Sequence, residues 1–97
     1  MVHERVNFGA TLIKQGGVVV VSGGFLKGFN VGNSVEIYNI AANRWTVGNP
    51  MKTQRFAHSI CESGMGKYVY AFGGQDGNLK ALKTIERAFF NDENNPE

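Results

Sequence analysis

Short apolar runs separated by glycine and polar residues set the pattern of this chain. Val18 to Val21 is a continuous β-branched run, and Tyr68 to Phe72 alternates aromatic and aliphatic residues. Ser34 to Tyr38 alternates polar and apolar residues, which places the two kinds of side chain on opposite faces of a strand. Runs this short and this rich in β-branched and aromatic residues predict strands rather than helices.

The remaining segments are interpreted in the same way. Asn7 to Ile13, Phe56 to Cys61 and Arg44 to Val47 are predicted strands. Phe25 to Asn33 is rich in glycine and asparagine and is predicted to be a loop. Each predicted strand is therefore bounded by turn-forming residues, as in an all-β protein.

The chain also matches itself when it is shifted by 50 positions without a gap. One register holds over most of the length, which indicates an internal repeat. The register also resolves an ambiguous segment, Leu79 to Phe90. Its helix propensity is appreciable, but the register predicts a strand from about Leu82. The identities are Met1 with Met51, Arg5 with Arg55, Gly16 with Gly66, Val19 with Val69, Gly23-Gly24 with Gly73-Gly74, and Glu36 with Glu86.

The order of these residues resembles the kelch repeat. That order is an arginine, an apolar run, a double glycine, Val-Glu-Ile-Tyr and Asn-x-Trp, and the period agrees with the roughly 50 residues of kelch repeats. The repeat-signature residues in this sequence are Gly23, Gly24, Glu36, Tyr38, Trp45, Gly73, Gly74 and Glu86.

The resemblance implies an all-β fold, a kelch-type β-propeller fragment with one complete four-stranded antiparallel blade and about three strands of a second. Residues 1–50 would be repeat 1, residues 51–90 an incomplete repeat 2, and residues 91–97 a polar, disordered tail. The second repeat has Ala88 where Tyr38 would recur and Asn95 where Trp45 would recur. Two repeats do not close a ring, so we expect a homo-oligomer or additional blades from another chain.

Charge and cysteine content indicate which partners and covalent links are expected. The formal net charge of +2 comes from ten basic and eight acidic residues without a basic run, so neither nucleic acid nor membrane is expected as a partner. Cys61 is the only cysteine, so no intrachain disulfide can form. Met1 to Arg5 lack the basic-then-apolar layout of a signal peptide, and the longest apolar run, Val18 to Val21, is too short to span a bilayer. The predicted location is therefore the cytoplasm, where association with the cytoskeleton is one option.

Arg5 and Arg55 are the candidate partner-binding residues, and this assignment comes from the resemblance. They would begin the innermost strand of each blade near one mouth of the central channel, where arginines of some kelch domains bind acidic peptides. Packing against a neighbouring blade is the alternative. Glu36 and Glu86 are one position in two repeats, so we expect structural hydrogen-bond partners and not a catalytic pair of carboxylates.

No catalytic, cofactor-binding or metal-binding residues are predicted. The double glycines match neither the Gly-x-Gly-x-x-Gly spacing nor the Walker spacing of nucleotide-binding loops. They are expected to form turns with positive φ. His58 and Cys61 are three residues apart on a strand and point to opposite faces, which disfavours a metal or nucleophilic pair. Cys61 is expected to be a small buried hydrophobe.

The sequence thus favours a non-enzymatic scaffold that binds a protein or peptide through blade loops and the channel mouth. Two alternatives stay open. The chain could be a fragment of a propeller enzyme, similar to galactose oxidase or the sialic-acid isomerases, or a truncated product without a function of its own. The identity of the partner is not encoded in any motif.

Overall fold

The computed structural model describes residues 4–13, 17–26, 30–63 and 68–89, and within these ranges the chain forms strands and no helix. The all-β prediction is therefore confirmed. The strands are β1 (Gly9–Ile13), β2 (Val18–Ser22), β3 (Phe25–Leu26), β4 (Asn30–Val31), β5 (Val35–Asn39), β6 (Arg44–Val47), β7 (Ser59–Glu62), β8 (Tyr68–Phe72) and β9 (Ile85–Phe89).

The described strands pair into antiparallel sheets of four, three and two strands. The first sheet has the order β1-β2-β5-β6, and the second sheet has the order β7-β8-β9. The pair β3-β4 lies within Phe25 to Asn33, so the prediction of a plain loop there was wrong. Two-residue strands are too short to show an alternating pattern, whereas the glycine and asparagine in this segment suggest a loop.

The 50-residue repeat is present in the backbone. β8 and β9 occupy the positions of β2 and β5 shifted by 50, so the segment with helix propensity is a strand, although it begins at Ile85 and not at Leu82. β1 and β7 both begin later than predicted. The reason is that Asn7 and Ala57 each adopt a left-handed conformation with φ of 53°, which interrupts an extended strand.

The core lies between the two larger sheets. One face of the first sheet packs against the second sheet and Met51, with β1 beside β7. Strand pairing places Val35 and Ile37 on this face and Glu36 and Tyr38 on the other, as their alternation predicts. The buried cluster comprises Ile13, Val18, Val20, Val35, Ile37, Met51 and Ala71, with Ile60 and Val69 packed against it.

The predicted polar tail, 91–97, lies outside the described residues. Among the residues that are described, no helix has the length and apolarity that crossing a membrane requires.

Candidate functional site

Arg5 is buried and joins three segments of the first repeat. Its Nη1 donates to the carbonyl oxygens of Gly23 and Ser34 at 2.9 and 3.2 Å, and its Nη2 donates to Ser34 Oγ at 3.0 Å. Nη2 also contacts Glu36 Oε2 at 2.6 Å, and the two side chains are 0% and 1% exposed. A guanidinium with several fixed donors suits this position, because it can hold a turn and a strand together.

Arg55 makes the same contacts 50 residues further on. Its Nη1 donates to the carbonyl oxygens of Gly73 and Thr84 at 3.2 and 3.0 Å, and Nη2 donates to Thr84 Oγ1 at 3.0 Å. Nη2 pairs with Glu86 Oε2 at 2.9 Å, where the Arg55 side chain is 0% exposed and that of Glu86 is 17% exposed. Each glutamate is thus the partner of an arginine in its own repeat.

The burial of both arginines bears on the role proposed for them. Partner binding by Arg5 and Arg55 stays a prediction, but neither guanidinium lies at a surface that a partner could reach. A peptide carboxylate would first have to displace Glu36 or Glu86.

The double glycines allow the backbone to turn close to a neighbouring strand. Gly23 and Gly24 have φ of 63° and 93°, and Gly73 and Gly74 have φ of 71° and 82°. A Cβ on Gly74 would lie 2.5 Å from the carbonyl oxygen of Phe56. Only glycine avoids both this clash and the cost of positive φ, so these pairs are turns, as their spacing predicts.

His58 links the two repeats. Its Nε2 lies 3.0 Å from Ser22 Oγ on β2, and its buried Nδ1 has no hydrogen-bond partner among the described residues. Burial lowers the pKa of His58 from its ordinary value of 6.5, and the charge of Arg55 lowers it further, while the charge of Glu86 opposes the shift. Burial, the largest contribution, disfavours the charged imidazolium, so the lowered pKa favours the neutral form of His58.

Cys61 is exposed and not buried, so the prediction of a small buried hydrophobe was wrong. The reason is the pairing of β7 with β8, which places Cys61 opposite Tyr70, on the face of the second sheet directed away from the first. His58 contacts the first sheet instead, so the two side chains do not form a nucleophilic pair. Within the described ranges, no three His, Cys, Asp or Glu side chains come close enough to hold a metal ion.

An open polar cleft lies where loops of the two repeats meet. Its volume is about 770 Å³. No motif in the sequence identifies its residues, although amide, hydroxyl and glycine residues in loops are typical of binding surfaces. The cleft is lined by Asn30, Val31, Asn33, Lys52, Thr53, Gln54, Asp76, Gly77 and Asn78.

Internal hydrogen bonds hold the walls of this cleft. The carboxylate of Glu86 accepts from the backbone N–H groups of Lys52 and Thr53 at 2.7 and 3.1 Å. On the opposite wall, Asp76 Oδ1 accepts from the backbone N–H groups of Asn78 and Lys80 at 2.9 and 3.1 Å. The ion pair of the second repeat therefore also positions the loop that forms one side of the cleft.

A second, largely apolar cavity of about 530 Å³ opens between the two sheets. It is an incompletely filled part of the core, since Val20, Val35, Ile60, Val69 and Ala71 line it.

No family model matches the chain, and no curated protein matches it.

Proposed function

We propose that the chain is a non-catalytic interaction module of the kelch-propeller type, which binds a protein or peptide in the polar cleft between its loops. The observation that carries the proposal is the cleft itself, because it combines loops from both repeats on a hydrogen-bonded scaffold. Loops held in place by a rigid sheet are the usual position of binding residues.

The repeated architecture supports the propeller part of this proposal. In both repeats an arginine contacts a double glycine, a hydroxyl residue and a glutamate at positions that differ by 50. The two sheets pack against each other around a shared core, and their first strands, β1 and β7, are adjacent. Adjacent sheets of one design that pack face to face are what blades of a propeller require.

The chemistry of the cleft favours a polar peptide segment. Asn, Gln and Thr side chains both donate and accept hydrogen bonds, which matches the alternating N–H and C=O groups of a peptide backbone. Lys52 and Asp76 contribute charges of opposite sign, so the lining does not select a strongly acidic or basic ligand. The expected ligand is an extended, uncharged or mixed-charge peptide.

Gly77 offers a way to test the cleft without disturbing the core. A Cβ there would lie 3.5 Å from Gln54 Oε1 and 4.0 Å from Val31 Cβ, both ordinary contacts, and Gly77 is exposed. The variant Gly77→Leu should therefore fold and partly fill the cleft. Arg44→Leu is the matched control, because Arg44 is exposed and begins β6 at the opposite end of the first sheet.

The experiment selects peptides from a displayed random library on the unmodified chain and measures their affinity by fluorescence anisotropy. We expect Gly77→Leu and Gln54→Ala each to weaken binding by about tenfold or more, which corresponds to about 1.4 kcal/mol. Arg44→Leu should bind as the unmodified chain does. Failure to select any binder, or equal affinity for all variants, would contradict the proposal.

A further inference from the structure

The two sheets each leave one apolar face exposed. The open face of the second sheet is formed by two rows of paired residues, Ser59–Phe72–Ile85 and Cys61–Tyr70–Arg87. The outer face of the first sheet is the side directed away from the second sheet. It carries Leu12, Val19, Tyr38, Trp45 and Val47.

The repeat shows what covers a face of this kind. Ser22 and Val35 on the first sheet are the counterparts of Phe72 and Ile85, and they lie against the second sheet with exposures of 3% and 7%. Phe72 and Ile85 themselves are 39% and 68% exposed. The same position is therefore buried in the first repeat and solvent-accessible in the second.

Glycine positions give the same result independently. A Cβ on Gly23 would lie 2.5 Å from the carbonyl oxygen of Arg55 and 2.8 Å from His58 Cε1, both in the second repeat. A Cβ on the equivalent Gly73 would have no heavy atom within 4 Å. The space next to the double glycine is filled by the following repeat in one case and open in the other.

The residues that cover the first sheet also have counterparts. Ile60, Val69 and Ala71 pack against the first sheet or line the cavity between the sheets. Fifty positions earlier, the outer face and its edge carry apolar residues at each of these places, namely Ala10, Val19 and Val21, of which Val21 is already buried within the chain at 3% exposure.

We infer that the open face of one chain binds the outer face of a second copy, in the same arrangement as the second sheet packs against the first. Phe8 of the second copy, the counterpart of His58, would then lie next to Gly73. Because the two faces differ, the contact is head-to-tail, and it produces closed rings or open chains and not a dimer in which one face pairs with its own copy. This inference depends on the repeat and not on ligand binding in the cleft, so either proposal can fail alone.

The open face carries a charged residue at a position where its counterpart on the first sheet is apolar. Arg87 stands where Ile37 is buried in the first sheet, and its guanidinium carbon lies 4.6 Å from the ring centroid of Tyr68. The outer face presents the aromatic pair Tyr38 and Trp45, with ring centroids 5.0 Å apart. Aromatic rings attract cations, so an arginine is compatible with this partner surface.

The first measurement is the mass of the full chain by analytical ultracentrifugation over a range of concentrations. We expect association beyond the monomer that increases with concentration. Ile85→Lys on the open face and Leu12→Lys on the outer face, in the strand that corresponds to β7, should each abolish it, and both residues are exposed, at 68% and 45%, so the fold should survive. Leu79→Lys is the matched control, since Leu79 is also 68% exposed but lies on neither face.

Mixing the two variants distinguishes the head-to-tail contact from a symmetric one. The Ile85→Lys chain keeps an intact outer face, and the Leu12→Lys chain keeps an intact open face. An equimolar mixture should therefore form a one-to-one heterodimer that grows no further. A symmetric contact would instead leave one of the two variants a homodimer by itself, and this result would overturn the inference.

Alkylation of Cys61 provides an independent measure of which face is covered. Cys61 lies on the open face, so its reaction with a thiol reagent should slow as the chain associates and should stay fast in Ile85→Lys. A monomeric mass at all concentrations, or association with unchanged reactivity of Cys61, would also overturn the inference.

Discussion

Replacement of Glu36 by alanine tests the ion pair on which the first repeat depends. The change leaves the Arg5 guanidinium charged in a position that is 0% exposed, where its remaining acceptors are neutral oxygens of Gly23 and Ser34. Breaking a buried ion pair by removing one partner costs about 3–5 kcal/mol. A domain of this size is stabilised by about 5–15 kcal/mol in total, so we expect a large fraction of the stability to be lost.

The assay is urea unfolding followed by the fluorescence of Trp45, the single tryptophan of the chain. Trp45 is a suitable reporter because β6 pairs with β5, the strand that carries Glu36. A lower transition midpoint with an unchanged slope would show that stability has changed and not the surface exposed on unfolding. Glu4→Ala is the control, since Glu4 is exposed and its replacement should change stability by no more than about 0.5 kcal/mol.

The double variant Arg5→Met with Glu36→Leu separates the cost of an unpaired charge from the value of the pair. Apolar replacement of both partners removes the buried charge, so the double variant should be more stable than Glu36→Ala. Some cost remains, because the acceptors on Gly23 and Ser34 lose their donor. A cost for Glu36→Ala of less than about 1 kcal/mol, or a double variant no more stable than Glu36→Ala, would refute the reasoning.

Two further predictions concern His58 and the double glycine. Since the pKa of His58 is lower in the folded chain than its ordinary 6.5, the unfolded chain takes up a proton first, and stability should fall as the pH drops from 6.5 towards the folded pKa. His58→Gln should remove this part of the pH dependence in urea midpoints, and an unchanged profile would contradict it. Gly74→Val should prevent folding, because φ is 82° and a Cβ meets Phe56 O at 2.5 Å. Gly17→Ala, with φ of 63° and open space, should cost only about 1 kcal/mol in thermal melts, and equal effects would contradict the turn assignment.

Strand positions were predictable because their signals are local. Arg44–Val47 and Tyr68–Phe72 match the predicted strands. Short β-branched and aromatic runs between turn-forming residues favour strands over helices. The late starts of β1 and β7 were not predictable from propensity. Ala57, which adopts φ of 53°, donates its N–H to the carbonyl of Asn7 at 2.8 Å, and no local pattern predicts this contact across the two repeats.

The candidate site was less predictable than the fold. The 50-residue repeat predicts that Arg5 and Arg55 occupy equivalent positions, as do Glu36 and Glu86. This spacing alone does not say whether an arginine is buried or exposed. The cleft was missed because its walls come from three separate loops, and no local pattern indicates that Gln54 lies near Gly77. Exposure of Cys61 likewise depends on which face of the second sheet is covered.

The two ion pairs have the same geometry but different consequences for binding. Glu86 holds Arg55 and also accepts from the backbone of Lys52 and Thr53, so the carboxylate that stabilises the second repeat fixes one wall of the cleft. Glu86 is also 17% exposed, against 1% for Glu36. A residue that stabilises the fold and positions a binding loop couples the two properties. Loss of Glu86 should therefore weaken peptide binding even under conditions in which the chain remains folded.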